Sequence, residues 1–299
     1  MILTVVASIA AAACYALAAV LQQEAAVTAP PERAMRLSLL VHLARRGRWL
    51  AGTAADVLGF GLQLLALAYG PLVLVQSLLV TGLLFALPLG ALRSRRRMGR
   101  AEWVGAAVLA GGLIALTAAD PAAGTARPAV HDWAVIAVLT VLPAGLLTLR
   151  PGSAVGPARA IRLAAATGLV YGATAVLTKV TGELLRHGVS AAATAWEPYL
   201  LIVLSAWAMV LNQSAFQAGP LAASLPVLTA AEPIACAAIG VLVLREHLAV
   251  PAVATIGALA AIVVGVVVLS RSPLVLAMHE STSDYPHGVP DGFAQAMEG

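Results

Sequence analysis

The chain has little charge. Lysine, arginine, aspartate and glutamate make up 11% of its 299 residues, where a soluble domain carries about a quarter. So few ionic groups cannot hydrate the surface of a globule of this size, which excludes an ordinary water-soluble fold. Cysteine is scarce too: Cys14 and Cys236 are the only two. Both lie in apolar runs, where core packing explains them better than a disulfide. Alternation of apolar and polar residues is missing, which excludes a transmembrane barrel. There is no His/Glu pair with zincin spacing, no glycine-rich phosphate loop after a strand and no serine in a nucleophile elbow. The sequence therefore carries no enzyme signature and implies no cofactor.

What remains is apolar. Hydrophobic residues make up 61% of the chain and the mean hydropathy is +0.92. Backbone groups in hydrocarbon must be satisfied internally, so long runs of Ala, Leu and Val read as helices. Windows of about twenty residues predict an all-α membrane protein with nine spans, at 2–22, 50–69, 71–92, 102–119, 133–150, 161–185, 197–217, 220–243 and 250–270. The stretch 35–44, which contains His42, is too short to cross and is expected as an interfacial helix; a tenth, degenerate span is the alternative. The first run lacks a preceding Lys or Arg and exceeds a signal-peptide core, so a retained helix is expected.

The isoelectric point of about 9.5 comes from basic clusters between apolar runs, a topology pattern and not a nucleic-acid face. Arg33, Arg36, Arg45, Arg46 and Arg48, then Arg93, Arg95, Arg96, Arg97 and Arg100, then Arg150, Arg159, Arg162 and Arg271 all fall on one side of the predicted membrane. Only Arg127, Arg186 and Arg245 fall on the other. The positive-inside rule then places the N-terminus outside and the C-terminus inside, in the cytoplasmic membrane. The polar, aperiodic stretch 272–299 is expected to be disordered cytoplasmic chain.

The sequence also repeats. The run from Cys14-Tyr15-Ala16-Leu17 to Val20-Leu21 resembles Val170-Tyr171-Gly172-Ala173 to Val176-Leu177, and Gln63 through Gly70-Pro71-Leu72 resembles Asn212 through Gly219-Pro220-Leu221. Spaced glycines close each copy: Gly105, Gly111 and Gly112 against Gly257 and Gly265. Residues 1–119 then form a first four-span repeat, 120–158 a linking helix with its loops, and 159–271 a second repeat. Four spans plus one is odd, so the second copy is inverted, an arrangement on which many secondary transporters are built.

At these residues the chain resembles the drug/metabolite transporter superfamily. Ala231-Glu232-Pro233, Leu244-Arg245-Glu246-His247-Leu248, Ile256-Gly257 and Gly265 are similar to the end of an EamA-type repeat. The nine-span count, Trp49-x-x-Gly52 and Ala66-Leu67-Ala68-Tyr69-Gly70-Pro71 are closest to the NIPA-type magnesium transporter branch. The resemblance implies alternating-access transport of a small solute or cation across the bilayer, with Mg²⁺ as one possible substrate. One feature departs from that branch: where its second span carries a Gly-Glu pair, this chain reads Gly59-Phe60 and then Gln63-Leu64. Asp56, one turn earlier, is the acid that would substitute.

An ionisable residue at membrane depth is a functional candidate by default. Glu232 lies roughly 18 Å beyond Pro220 by helical rise, next to Pro233 and one stripe from Pro226, a pair able to kink the helix and free carbonyls for gating or binding. Its competing role is a neutral, hydrogen-bonded acid. Asp56 and Gln63 share a face at seven residues' spacing; Asp56 paired with an arginine from 45–48 explains it equally well. Glu232 and Asp56 are also the candidate metal ligands. Gln76, Ser77, Thr81, Asn212 and Gln213 offer neutral ligands or serve as packing glue. Lys179, at i,i+4 from Glu183, is a substrate-binding candidate or a snorkelling ion pair. Its inverted counterparts, Gln22 and Gln23, suit gating or interface anchoring. Gly168-x-x-x-Gly172 and Gly257-x-x-x-Ala261-x-x-x-Gly265 read as close-packing stripes. A homodimer is compatible with the sequence. A scaffold or accessory subunit is the rival to transport, and an intramembrane enzyme is disfavoured.

Overall fold

The computed structural model describes residues 2–69, 75, 78–93, 98–118, 128–150, 155–243 and 252–271. The regular structure of the described residues is all helical, in the order α1 (Ile2–Val27), a 3₁₀ turn (Pro31–Arg33), α2 (Leu37–Leu43), α3 (Gly47–Tyr69), α4 (Gly82–Arg93), α5 (Arg100–Ala118), α6 (Val130–Ile136), a π-helical turn (Ala137–Val141), α7 (Leu142–Leu149), α8 (Pro157–Arg186), α9 (Val189–Thr194), α10 (Glu197–Ala218), α11 (Leu221–Leu242) and α12 (Ala252–Ser270). Among the described residues, five helical stretches are long and apolar enough to cross a membrane: Ile2–Val27, His131–Leu149, Pro157–Thr178, Glu197–Ala218 and Val253–Ser270. Gly82–Leu92 and Leu221–Cys236 are apolar but shorter.

Residues 35–44 supply α2, which at seven residues is about 10 Å long and too short to cross. Leu39 and Leu43 bury its inner face against Phe216 and Leu221. Of the predicted third span, 71–92, α4 is the part that forms a continuous described helix. Gln76, Ser77, the Leu244–Leu248 motif and the stretch 272–299 lie outside the described residues.

In lipid, helices have no hydrophobic drive toward one another, so close backbone approach matters more than area. A Cβ on Gly168 would meet the Ala231 Cβ at 2.5 Å and one on Gly172 would meet the Ala235 Cβ at 2.5 Å, so α8 and α11 touch along a glycine–alanine seam and run parallel. Gly265 sits on Leu109, and Gly112 on the Ala258 carbonyl, which locks α5 and α12 antiparallel. Gly257 faces open space; its expected place in the packing stripe does not hold, because α12 turns that face away from α5. Gly156 (φ 132°) and Gly188 (φ 118°) bracket α8, at turns a side chain would strain.

The pairing directions form a pattern. Gly52 and Gly59 lie on Gln22 and Tyr15, so α3 runs antiparallel to α1. Gly82 and Gly90 lie on Ala12 and Val20, so α4 runs parallel to α1. In the later part of the chain, α10 ends where α8 begins, the Gly156 amide donating to the Ala218 carbonyl at 2.7 Å, and α11 runs parallel to α8. The central element is α8: 67% of its apolar window is buried, against 17% for His131–Leu149 and 22% for Val253–Ser270. Those outer helices present Val138, Leu142, Leu146, Val253, Ile256 and Val263 outward.

One end of the bundle collects the connections rich in arginine. There the chain between α1 and α3 is strapped to the end of α10. Gln217 Nε2 donates to the Ala29 and Pro30 carbonyls at 2.9 Å each, Gln23 Nε2 to the Gly219 carbonyl at 3.3 Å, and the Met35 amide to Ser214 Oγ at 2.9 Å. Met35 holds φ at 62°, a conformation uncommon outside glycine that these contacts support.

Candidate functional site

Glu232 is the twelfth of the 22 residues of α11, which places it mid-helix as its sequence position requires. It is half-buried, its backbone against Gly168 of α8, and among the described residues it has neither a hydrogen-bond nor an ion-pair partner. The neutral acid bonded to a neighbouring helix therefore finds no described acceptor. Pro226 and Pro233 both lie inside α11; lacking N–H groups, they leave the Ala222 and Thr229 carbonyls without their usual helical donors. Thr229 sits three residues before Glu232, so a free carbonyl and a carboxyl share one turn.

Asp56 lies on α3, and its partner is an amide, not an arginine. Gln22 Nε2 donates to Asp56 Oδ2 at 2.5 Å, while Arg48 of the basic cluster lies 4.0 Å from Glu24. Gln213 Nε2 of α10 donates in turn to Gln22 Oε1 at 2.9 Å. A continuous chain of polar groups thus runs from α3 through α1 to α10. Gln22 is 3% exposed and Gln213 is fully buried, so neither exchanges its bonds with bulk water. One face-repeat further along α3, Gln63 Oε1 accepts from the Tyr15 hydroxyl at 2.6 Å. Tyr171 of α8 lies within electrostatic reach of both Glu232 and Asp56, and Tyr15 within reach of Asp56. The two tyrosines mark equivalent points of the sequence repeat.

Several candidates fare differently. The Asn212 carbonyl oxygen is buried without a donor among the described residues, whereas the carbonyl oxygen of Gln63, its repeat counterpart, is bonded. The Thr81 hydroxyl donates back to the Leu78 carbonyl at 2.5 Å, a local helical bond that occupies its proton and leaves its oxygen as an acceptor. Lys179 and Glu183 lie on α8, their side chains outside the described residues. Among the described residues no three His, Cys, Asp or Glu side chains converge. Cys14 and Cys236 form no disulfide with each other.

Sequence reading undervalued Gln22, Gln217 and the two tyrosines. Gln213 and Gln217, four residues apart on one helical face, were a signal in the sequence; Gln22 became significant only when α1 lay between α3 and α10.

An uncharacterized protein of Corynebacterium glutamicum is 32% identical to the chain over 248 residues, which is 82% of the chain and 86% of that protein. The chain belongs to that protein's family. The match is longer than either predicted repeat, so the two proteins share a plan that spans the bundle and not one half of it. No protein-family model matches the chain, and no solved structure matches it.

Proposed function

We propose that the chain is a multi-pass transporter of the drug/metabolite type, moving a small solute or cation across the cytoplasmic membrane by alternating access. The observation that carries this reading is the buried polar chain Asp56–Gln22–Gln213, which bridges helices of the first and second halves. An ionisable group held between apolar helices is costly, which makes it a functional candidate by default. The helix directions support a nine-span inverted repeat. The set α1, α3, α4, α5 and the set α8, α10, α11, α12 show the same pairings, antiparallel then parallel, but start from opposite ends of the bundle. The α5–α12 pair joins the last helix of each set, as a twofold axis in the membrane plane would. The arginine-rich end is the cytoplasmic one on this reading, with the N-terminus outside and the C-terminus inside.

Glu232 is the central acid, with Asp56 and Gln63 along the route. The test is flux into proteoliposomes under an imposed pH or solute gradient, with divalent cations, amino acids and small organic cations as separate arms. Flux through the wild type that is abolished in Glu232→Gln is the expected result. Wild-type flux in that variant would reject the role of Glu232. No flux in any arm would instead favour a membrane scaffold or accessory subunit.

A further inference from the structure

The connection between α1 and α3 carries more positive charge than its own acids balance. In the stretch 24–48, Arg33, Arg36, Arg45, Arg46 and Arg48 are set against Glu24 and Glu32 alone. Among the described residues one ion pair joins the two sets, Arg48 to Glu24 at 4.0 Å. The neighbouring α10, whose Phe216 packs with Leu39 and Leu43 of α2, has its one charged residue, Glu197, at the opposite end. Arg46 shows the shortage directly. Its Nη2 lies 3.3 Å from His42 Nε2, and because a guanidinium only donates, the ring nitrogen accepts and the imidazole is neutral. Desolvation and the charges of Arg33, Arg46 and Arg45 hold His42 below its usual pKa. Arg33 precedes α2 and the other two follow it, so the fold gathers both ends of the connection around one ring. The same short helix is apolar on two sides. Leu39 and Leu43 are buried, whereas Leu37 and Val41, four residues apart, are exposed, as is Leu50 in the first turn of α3.

We infer that α2 and its flanking arginines form a binding site for one anionic phospholipid, its phosphate among Arg33, Arg45 and Arg46 and an acyl chain along Leu37 and Val41. Charge complementarity selects the headgroup, and the planar fork of arginine pairs bidentately with phosphate oxygens. A helix too short to cross, joined to the ends of two apolar helices, lies at headgroup level, with its outward apolar residues toward the chains. A soluble anion would answer the arginines but leave Leu37 and Val41 in water, which commits the site to a lipid. The inference needs only that the bundle sits in a bilayer and is independent of the transport reading. A bound phosphate takes over the Arg46 donor and offsets the three charges, so His42 regains basicity when lipid binds. Linkage is reciprocal: affinity is highest below the lipid-free His42 titration and falls as pH rises through the lipid-bound one. The charged groups on the elements around His42 are Glu32 and Arg33 of the 3₁₀ turn, Arg36, Arg45 and Arg46 flanking α2, Arg48 of α3 and Glu24 of α1.

The test is native mass spectrometry of the full-length protein in nonionic detergent, titrated over a range of pH with phosphatidylglycerol and with phosphatidylcholine. Glycerol 1-phosphate, added as a competitor, is the soluble arm. Phosphatidylglycerol is expected to bind at least about tenfold more tightly than phosphatidylcholine. An arginine near a headgroup is worth about fivefold in affinity, so the pair Arg45→Gln and Arg46→Gln should weaken phosphatidylglycerol about twenty-five-fold. The pair Arg100→Gln and Arg271→Gln removes the same charge from the start of α5 and the end of α12 and should change it less than about twofold. Leu37→Ser with Val41→Ser should weaken it at least about fivefold with the arginines intact. Wild-type affinity should fall as pH rises, and His42→Gln should abolish that dependence; this arm decides the matter if the arginine pair fails to fold. Equal affinities for the two lipids, equal losses in the two arginine pairs, or a wild-type affinity without pH dependence would overturn the inference. Displacement of the bound lipid by an equal concentration of glycerol 1-phosphate would make the site one for a soluble anion and overturn its assignment to lipid.

Discussion

Gly172→Ala probes one of the two shortest Cβ approaches between described helices. The added methyl would lie 2.5 Å from the Ala235 Cβ, whereas carbon atoms rest at about 3.5–4.0 Å. Both atoms are anchored to backbone, so neither can swing aside, and α8 and α11 must separate by about 1 Å. Overpacking of this kind costs about 1–3 kcal/mol, against which alanine recovers about 1 kcal/mol of helix propensity. Gly168→Ala meets Ala231 at the same 2.5 Å, one turn away. A single separation relieves both clashes, so the double variant should cost less than the two singles combined. Gly257→Ala is the control: its Cβ meets nothing within 4 Å, so only the propensity gain remains. Thermal unfolding in one detergent, followed by circular dichroism, should order the proteins as Gly257→Ala, wild type, then Gly172→Ala. If Gly172→Ala unfolds with Gly257→Ala, the seam between α8 and α11 is not as close as described.

Two further outcomes follow from the arginine-rich end. Gln217→Leu removes the donor shared by the Ala29 and Pro30 carbonyls, a loss of about 1–2 kcal/mol. Trypsin should then cut at Arg33 and Arg36 roughly five to thirty times faster; an unchanged cleavage rate would mean the strap is held by its apolar contacts alone. For orientation, Val189→Cys, at a site 76% exposed, should react with an impermeant maleimide on intact cells, whereas Gly47→Cys, in open space, should react only after permeabilisation. The opposite pattern would invert the proposed topology.

Membrane character, helical content and most helix positions were legible in the sequence, because hydrocarbon leaves a backbone few options and an apolar run of sufficient length shows in composition alone. The mid-helix position of Glu232 was legible for the same reason: an acid twelve residues into an apolar run keeps that place wherever the neighbouring helices go. The partners of Asp56 were not. An arginine three turns away in the chain and a glutamine thirty-four residues away compete for it, and only the placement of α1 against α3 decides for the glutamine. Gly257 shows the same limit from the other side, since a stripe of small residues says that a face can pack closely but not which face meets a neighbour. One-dimensional pattern determined which segments form the apolar helices of the bundle. Tertiary structure decided which polar groups meet there, because that depends on how each helix is rotated about its axis, and between nearly uniform Ala- and Leu-rich surfaces the sequence leaves that rotation open.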